Sequence, residues 1–109
     1  MILENLHILD LCAGTGNISV EFLSREAGTV VAVDKNYHCY KYINKVSHDL
    51  GCESEIRVIK SDILKFLDHN SEKFDIIFAD PPYAYEHHQA IAEKVFERGL
   101  LADEGLLVI

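Results

Sequence analysis

Basic residues are scarce in this sequence. Ten Lys and Arg stand against eighteen Asp and Glu, a formal net charge of −8 over 109 residues. Charge alone therefore does not hold the chain on a nucleic acid, because phosphate contacts need Lys and Arg. Cysteine is sparse as well. Cys12, Cys39 and Cys52 make an odd count, and no two stand in a C-x-x-C spacing, which reads as reduced, buried thiols in a cytosolic protein and not as a disulfide framework. No apolar run approaches the roughly 18 residues that a membrane span needs. The opening "MILENLHILD" has no basic n-region and carries Glu4 early, so no signal peptide is expected. Repeats, low-complexity tracts and linkers are missing too. The chain is long enough for one compact domain, residues 1–109, around one core.

What is there alternates between strand-like and helix-like segments at short spacing, which predicts a parallel sheet with helices on both faces. Strands are expected at "HILDL" (7–11), "TVVAVD" (29–34), "EIRVIK" (55–60) and "FDIIFA" (74–79), with "GLLVI" (105–109) beginning a fifth. Helices are expected at 16–27, where Ile18 and Phe22 lie one turn apart, and at 36–51. In the second, Tyr40, Ile43, Val46 and Leu50 form an apolar stripe and Gly51 makes a stop. A short helix capped by Ser61 or Asp62 runs to His69. Another spans 87–99, with Ile91 and Val95 on one face. A sequence that ends inside an apolar strand reads as a piece of a longer chain.

Two features mark a ligand site. In "LDLCAGTGN" (9–17) a strand runs into a glycine turn and then a helix; Gly14 and Gly16 permit positive φ and close approach to the backbone, and the helix start offers free N–H groups. A plain strand-to-helix turn would look the same. Asp34 ends the second strand twenty residues after Gly14, where doubly wound folds place an acid for ribose hydroxyls; capping the next helix is its other reading. The dinucleotide pattern wants a third small residue where Ser19 stands. S-adenosylmethionine (SAM) asks less: an acid before the glycines, which Asp10 supplies, and a polar group near the adenine. Asp62 at the tip of the third strand suits that role, or that of a helix N-cap.

"FDIIFADPPY" (74–83) carries the chemistry. An apolar strand ends in Asp80, Pro81, Pro82 and Tyr83, and those two prolines are the only ones in the chain. The exocyclic amine of a nucleobase is a poor nucleophile because its lone pair is delocalised into the ring. The Asp80 carboxylate and Pro81 carbonyl can accept its two N–H groups, which orients the nitrogen and favours pyramidalisation. Pro82 biases Pro81 toward extended backbone, Tyr83 can stack on the base, and positioning for in-line attack on a sulfonium methyl does the rest. A simple Asp-Pro-Pro turn is the competing reading.

These residues resemble the class I SAM-dependent methyltransferases that modify amines and carry [D/N]-P-P-[Y/F/W]. "LDLCAGTGNISVEFLSR", "VVAVDKN" and "DIIFADPPY" together are most similar to the bacterial small-subunit (16S) rRNA guanine-N2 methyltransferase family, whose first motif continues into E-x-x-S-R; Glu21, Ser24 and Arg25 match it. The resemblance implies a Rossmann-like α/β fold with strand order 3-2-1-4-5. It implies SAM contacts at Asp10, Gly14, Gly16, Asp34 and Asp62, chemistry at Asp80, Pro81 and Tyr83, an RNA substrate in the small subunit or its assembly particle, and a cytoplasmic, monomeric full-length protein. Cys12 stands where Phe is usual, and Glu26 where Gly is. The family's basic leader and final β-hairpin have no counterpart in this sequence, in keeping with the acidic charge.

Rival readings share parts of this pattern. A DNA adenine-N6 methyltransferase fits the same fold. Protein glutamine-N5 methylation goes with Asn at the position of Asp80. A SAM-binding module without turnover needs only the first motif, and Ser19 with "DPPY" counts against an NAD-dependent oxidoreductase. His48, His87 and His88 lie at no metal-ligand spacing and read as exposed helix residues, so no metal is expected. Cys12 reads as a buried packing residue before it reads as a methyl-accepting thiol. Tyr37, Tyr40 and Tyr42 suggest a base-stacking surface, with Tyr40 instead assigned to the core stripe.

Overall fold

The structure, a computed structural model, describes residues 5–14, 19–21, 28–81 and 87–109. Five strands form one sheet: β1 (His7–Leu11), β2 (Thr29–Asp34), β3 (Ile56–Lys60), β4 (Phe74–Ala79) and β5 (Leu101–Val108). Their order is β3-β2-β1-β4-β5, and all four pairings are parallel. Three helices are described over their whole length: α1 (Tyr37–Asp49), α2 (Ile63–His69) and α3 (His88–Glu97). Of the helix expected over 16–27, residues 19–21 are helical; its Ile18–Phe22 pair lies outside the described residues.

The interior strands read as unbroken apolar runs because both faces of the sheet are covered. Alternation sorts their side chains. Leu9, Leu11, Val31 and Val33 point to the face that packs on α2 and α3, where Phe66, Leu67, Ile91 and Val95 are buried. Ile8, Val30, Ala32 and Ile76 point to the other face, against Ile43 of α1.

Several boundaries differ from the expected ones. α1 begins after its N-cap Asn36, whose side chain accepts from the His38 and Cys39 amides, and its C-cap is Leu50; Gly51 follows at φ +70° as the expected stop. The buried stripe of α1 is centred on Ile43 and Ser47, while Leu50 is 61% exposed and Tyr40 and Val46 are half-buried. Ser47 takes a core position because its hydroxyl donates back to the Asn44 carbonyl. β5 starts at Leu101, four residues earlier than expected. Leu101 pairs with Phe74 and Leu106 with Ile76, so the segment between them is an insertion in the ladder. The turn-like "ADEG" (102–105) hides this continuation, with Glu104 at φ +63°. A Cβ on Gly105 would come within 2.8 Å of the Ala102 carbonyl oxygen, so only glycine fits there. The three cysteines are free, as expected, but half-buried and not buried.

Candidate active site

The C-terminal ends of β2, β1 and β4 finish level with one another: Leu11 lies between Val33 and Ala79. The connections diverge from this point, β1 going to β2 on one side and β4 to β5 on the other, which is the switch point where doubly wound sheets bind ligands. The chain leaves β1 through Cys12 at φ +62° and Gly14 at φ +59°. The Ala13 amide donates to the Val33 carbonyl at 2.9 Å. Among the described residues, nothing lies within 4 Å of a Cβ built on Gly14. Asp34 ties the turn to α1. One of its oxygens accepts from the Gly14 amide and the other from the Asn36 amide, each at 2.8 Å. Each keeps a lone pair for another donor. Asp80 follows Ala79 directly and is exposed, while Pro81 is buried.

Three carboxylates therefore gather at this edge. Asp10 is 1% exposed and accepts from the Ser19 hydroxyl at 2.7 Å. Burial is the main cause that raises its carboxyl to about 6; the Ser19 bond acts the other way, and the Asp34 and Asp80 charges push further up. Burial and then the same acidic neighbours also raise the Cys12 thiol. A thiol held protonated is a poor nucleophile, which argues against methyl transfer to Cys12.

Asp10, Gly14, Asp34, Asp80 and Pro81 are thus brought to one edge. Gly16 and Tyr83 lie outside the described residues. Asp62 sits at the same edge and takes the N-cap reading: its side chain accepts from the Leu64 and Lys65 amides. Ser61, the other candidate cap, instead donates its hydroxyl to the Asp62 carbonyl. Ser19 was legible only as a missing glycine. Its bond to Asp10 follows from the need of a buried carboxylate for a donor. The far edge of the sheet holds a polar cluster that no motif announced. His7 bonds to Thr29 and, at 2.8 Å, to Glu72, which Arg57 also engages. Among the described residues no His, Cys, Asp and Glu group is arranged to hold a metal ion, and no helix is long and apolar enough to cross a membrane.

A parallel sheet of this order, with a glycine turn and an acidic cluster at its switch point, defines a doubly wound α/β domain, the class that binds its ligands at this edge. The chain matches the family model described as conserved hypothetical protein 95 over residues 1–109, and it belongs to that family. It is 30% identical over 104 residues to a protein of Haemophilus influenzae named ribosomal RNA small subunit methyltransferase D, covering 93% of this chain and 54% of that relative. It is 33% identical over 96 residues to another H. influenzae protein, named tRNA1(Val) (adenine(37)-N6)-methyltransferase, covering 86% of this chain and 40% of the relative. Among solved structures, a putative methyltransferase of Escherichia coli, yhhF, superposes with a TM-score of 0.91 at 26% identity, covering 97% of this chain and 59% of that one. The chain thus spans about half the length of the curated relatives it matches.

Proposed function

We propose that this chain is the SAM-binding core of an RNA methyltransferase that acts on an exocyclic amine of a nucleobase, guanine N2 of small-subunit rRNA being the foremost target. The observation that carries the reading is the placement of Asp80 and Pro81 at the end of β4, next to the β1 turn in the sheet. The acidic edge fits the cofactor. SAM brings a sulfonium and an ammonium to a site where Asp10 and Asp34 are close enough for one charge to act on the other. A pyrophosphate would meet the same carboxylates with the wrong sign.

When bound, SAM supplies an electrophilic methyl on a sulfonium. The chain does the positioning. Asp34, held by two backbone amides, keeps lone pairs for ribose hydroxyls. Gly14 leaves room for the methionine end, and Asp62 offers the adenine amine an acceptor beside its capping bonds. Asp80 and the Pro81 carbonyl accept from the target amine and aim its lone pair at the methyl carbon. Transfer from SAM held there would form the N–C bond as C–S breaks, with the electron pair going to sulfur and the surplus proton on nitrogen to solvent. Tyr83 stacks on the base. The relative named as an adenine-N6 tRNA enzyme favours a second reading, adenine N6 in tRNA, served by the same two acceptors.

The test is tritium transfer from labelled SAM by the full-length protein onto unmodified rRNA, tRNA, DNA and protein, followed by nucleoside digestion. Label in N2-methylguanosine of small-subunit rRNA is expected. Label in N6-methyladenosine of tRNA would select the second reading, and label in DNA or protein alone would contradict both.

A further inference from the structure

Despite the net charge of −8, the lysines and arginines are not spread evenly in their engagements. At the far edge and on the flanks they are occupied. Arg57 pairs with Glu72, Lys94 with Asp68 and Lys45 with Asp49; Lys73 donates to the Gly99 carbonyl and Arg98 to the Leu67 and Asn70 carbonyls. Among the described residues, Lys35, Lys41, Lys60 and Lys65 have no carboxylate or carbonyl partner, and all four are exposed. All four stand toward the edge that carries the candidate site. Lys35 directly follows β2. Lys60 ends β3, opposite Asp34 in the ladder. Lys65 lies in the first turn of α2. Lys41 lies on α1, about 6 Å along the helix from its start.

An aromatic ring stands among them. Tyr37, three residues beyond Asp34, is 53% exposed. The Lys41 ammonium lies over it, 5.5 Å from the ring centroid, and Tyr40 stacks beside it at 6.3 Å. From Lys35 to His48 the sequence holds three lysines and no carboxylate, an inversion of the chain's overall balance. Unpaired cations interleaved with an exposed ring match single-stranded nucleic acid, whose phosphates take the charges and whose bases take the ring.

We propose that Lys35, Lys41, Lys60 and Lys65, with Tyr37, form the surface along which the substrate RNA strand lies as its target base enters the site. This inference rests on the reading of the site as an RNA methyltransferase. Its phosphate contacts position the strand and carry no sequence information. Of the carboxylates of the same edge, Asp10 is buried, Asp34 faces two backbone amides and Asp62 caps α2, while Asp80, exposed at the end of β4, is the group assigned to the target amine.

The test uses the full-length protein and an unmodified small-subunit rRNA transcript, with affinity measured against salt. Each Lys→Ala at these four positions is expected to flatten the log–log slope by roughly 0.7, the single-strand value per phosphate contact. Tyr37→Ala is expected to weaken binding about tenfold at constant slope. Lys45→Ala and Lys94→Ala, at cations already paired, are expected to leave the slope alone, and calorimetric SAM affinity should hold in every variant. A fourfold Lys→Ala variant that keeps the full slope while the unaltered protein methylates RNA would overturn this inference and leave the function standing. A parallel loss of SAM affinity would also overturn it, by assigning the lysines to the cofactor. If the unaltered protein binds no RNA and methylates DNA or protein, the reading beneath it fails as well.

Discussion

Asp10 is buried beside two other carboxylates, and folding and cofactor binding pull on it in opposite directions. Its carboxyl is raised from 3.8 to about 6, so between those values the folded chain holds a proton that the unfolded chain has released. That contribution to stability is complete below pH 3.8 and is lost as pH rises through about 6. Asp10→Asn keeps an acceptor for Ser19 and removes the charge. It is expected to raise stability at pH 7 by about 3 kcal/mol and to abolish the decline between about pH 4 and about pH 6, while weakening SAM. Urea unfolding across that range measures the first effect and calorimetry the second; a variant less stable than the parent at pH 7 would contradict the burial argument. The acid before the glycines was legible in the sequence. Its partner was not, because Ser19 bonds to it from a helix nine residues further on, a contact that only the fold creates.

At the scale of the element, Asp62 shows how one residue can hold two readings at once. Its carboxylate caps α2, and it stands just past the tip of β3, where the proposed function calls for an acceptor to the adenine amine. The two roles separate by substitution. Asp62→Ala is expected to cost about 1 kcal/mol, the loss of an N-cap. Asp62→Ser keeps the cap and should retain nearly all the stability, yet lower SAM affinity severalfold. A serine variant with unchanged SAM affinity would reduce Asp62 to a cap. Elements were readable where one local rule dominated. Gly51 stops α1 as expected because a glycine stop is a local signal, whereas Asn36, counted inside the helix, is its N-cap. β5 was misplaced because its ladder is broken by residues 102–105, and turn-like residues inside a strand mimic its beginning. The α1 stripe was misjudged at Leu50 because helical spacing does not reveal how far the sheet beneath it extends.

At the scale of the whole molecule, the strand order 3-2-1-4-5 matches the expectation drawn from the alternation of elements together with the family resemblance. It places β5 at one edge with Leu106 45%, Val108 38% and Ile109 52% exposed. An unpaired apolar edge invites association. The isolated 109-residue chain is therefore expected to self-associate as concentration rises, and a chain of the relatives' length to do so less. Light scattering on both decides it; a short chain that stays monomeric at high concentration would show that the edge is protected. The free lysines illustrate what composition conceals, since the net charge argues against nucleic acid while the distribution of unpaired cations argues for it.

Asp80 is assigned to the acceptor amine and not to the cofactor. Methyl transfer to RNA and SAM affinity, both measured on full-length Asp80→Ala, separate the two roles. The expected result is a fall in turnover of about a hundredfold or more, with SAM affinity within a few fold of the parent, since the lost interaction belongs to the chemical step. Near-normal methylation by this variant, or a loss of SAM binding that matches the loss of turnover, would contradict the role assigned to the end of β4.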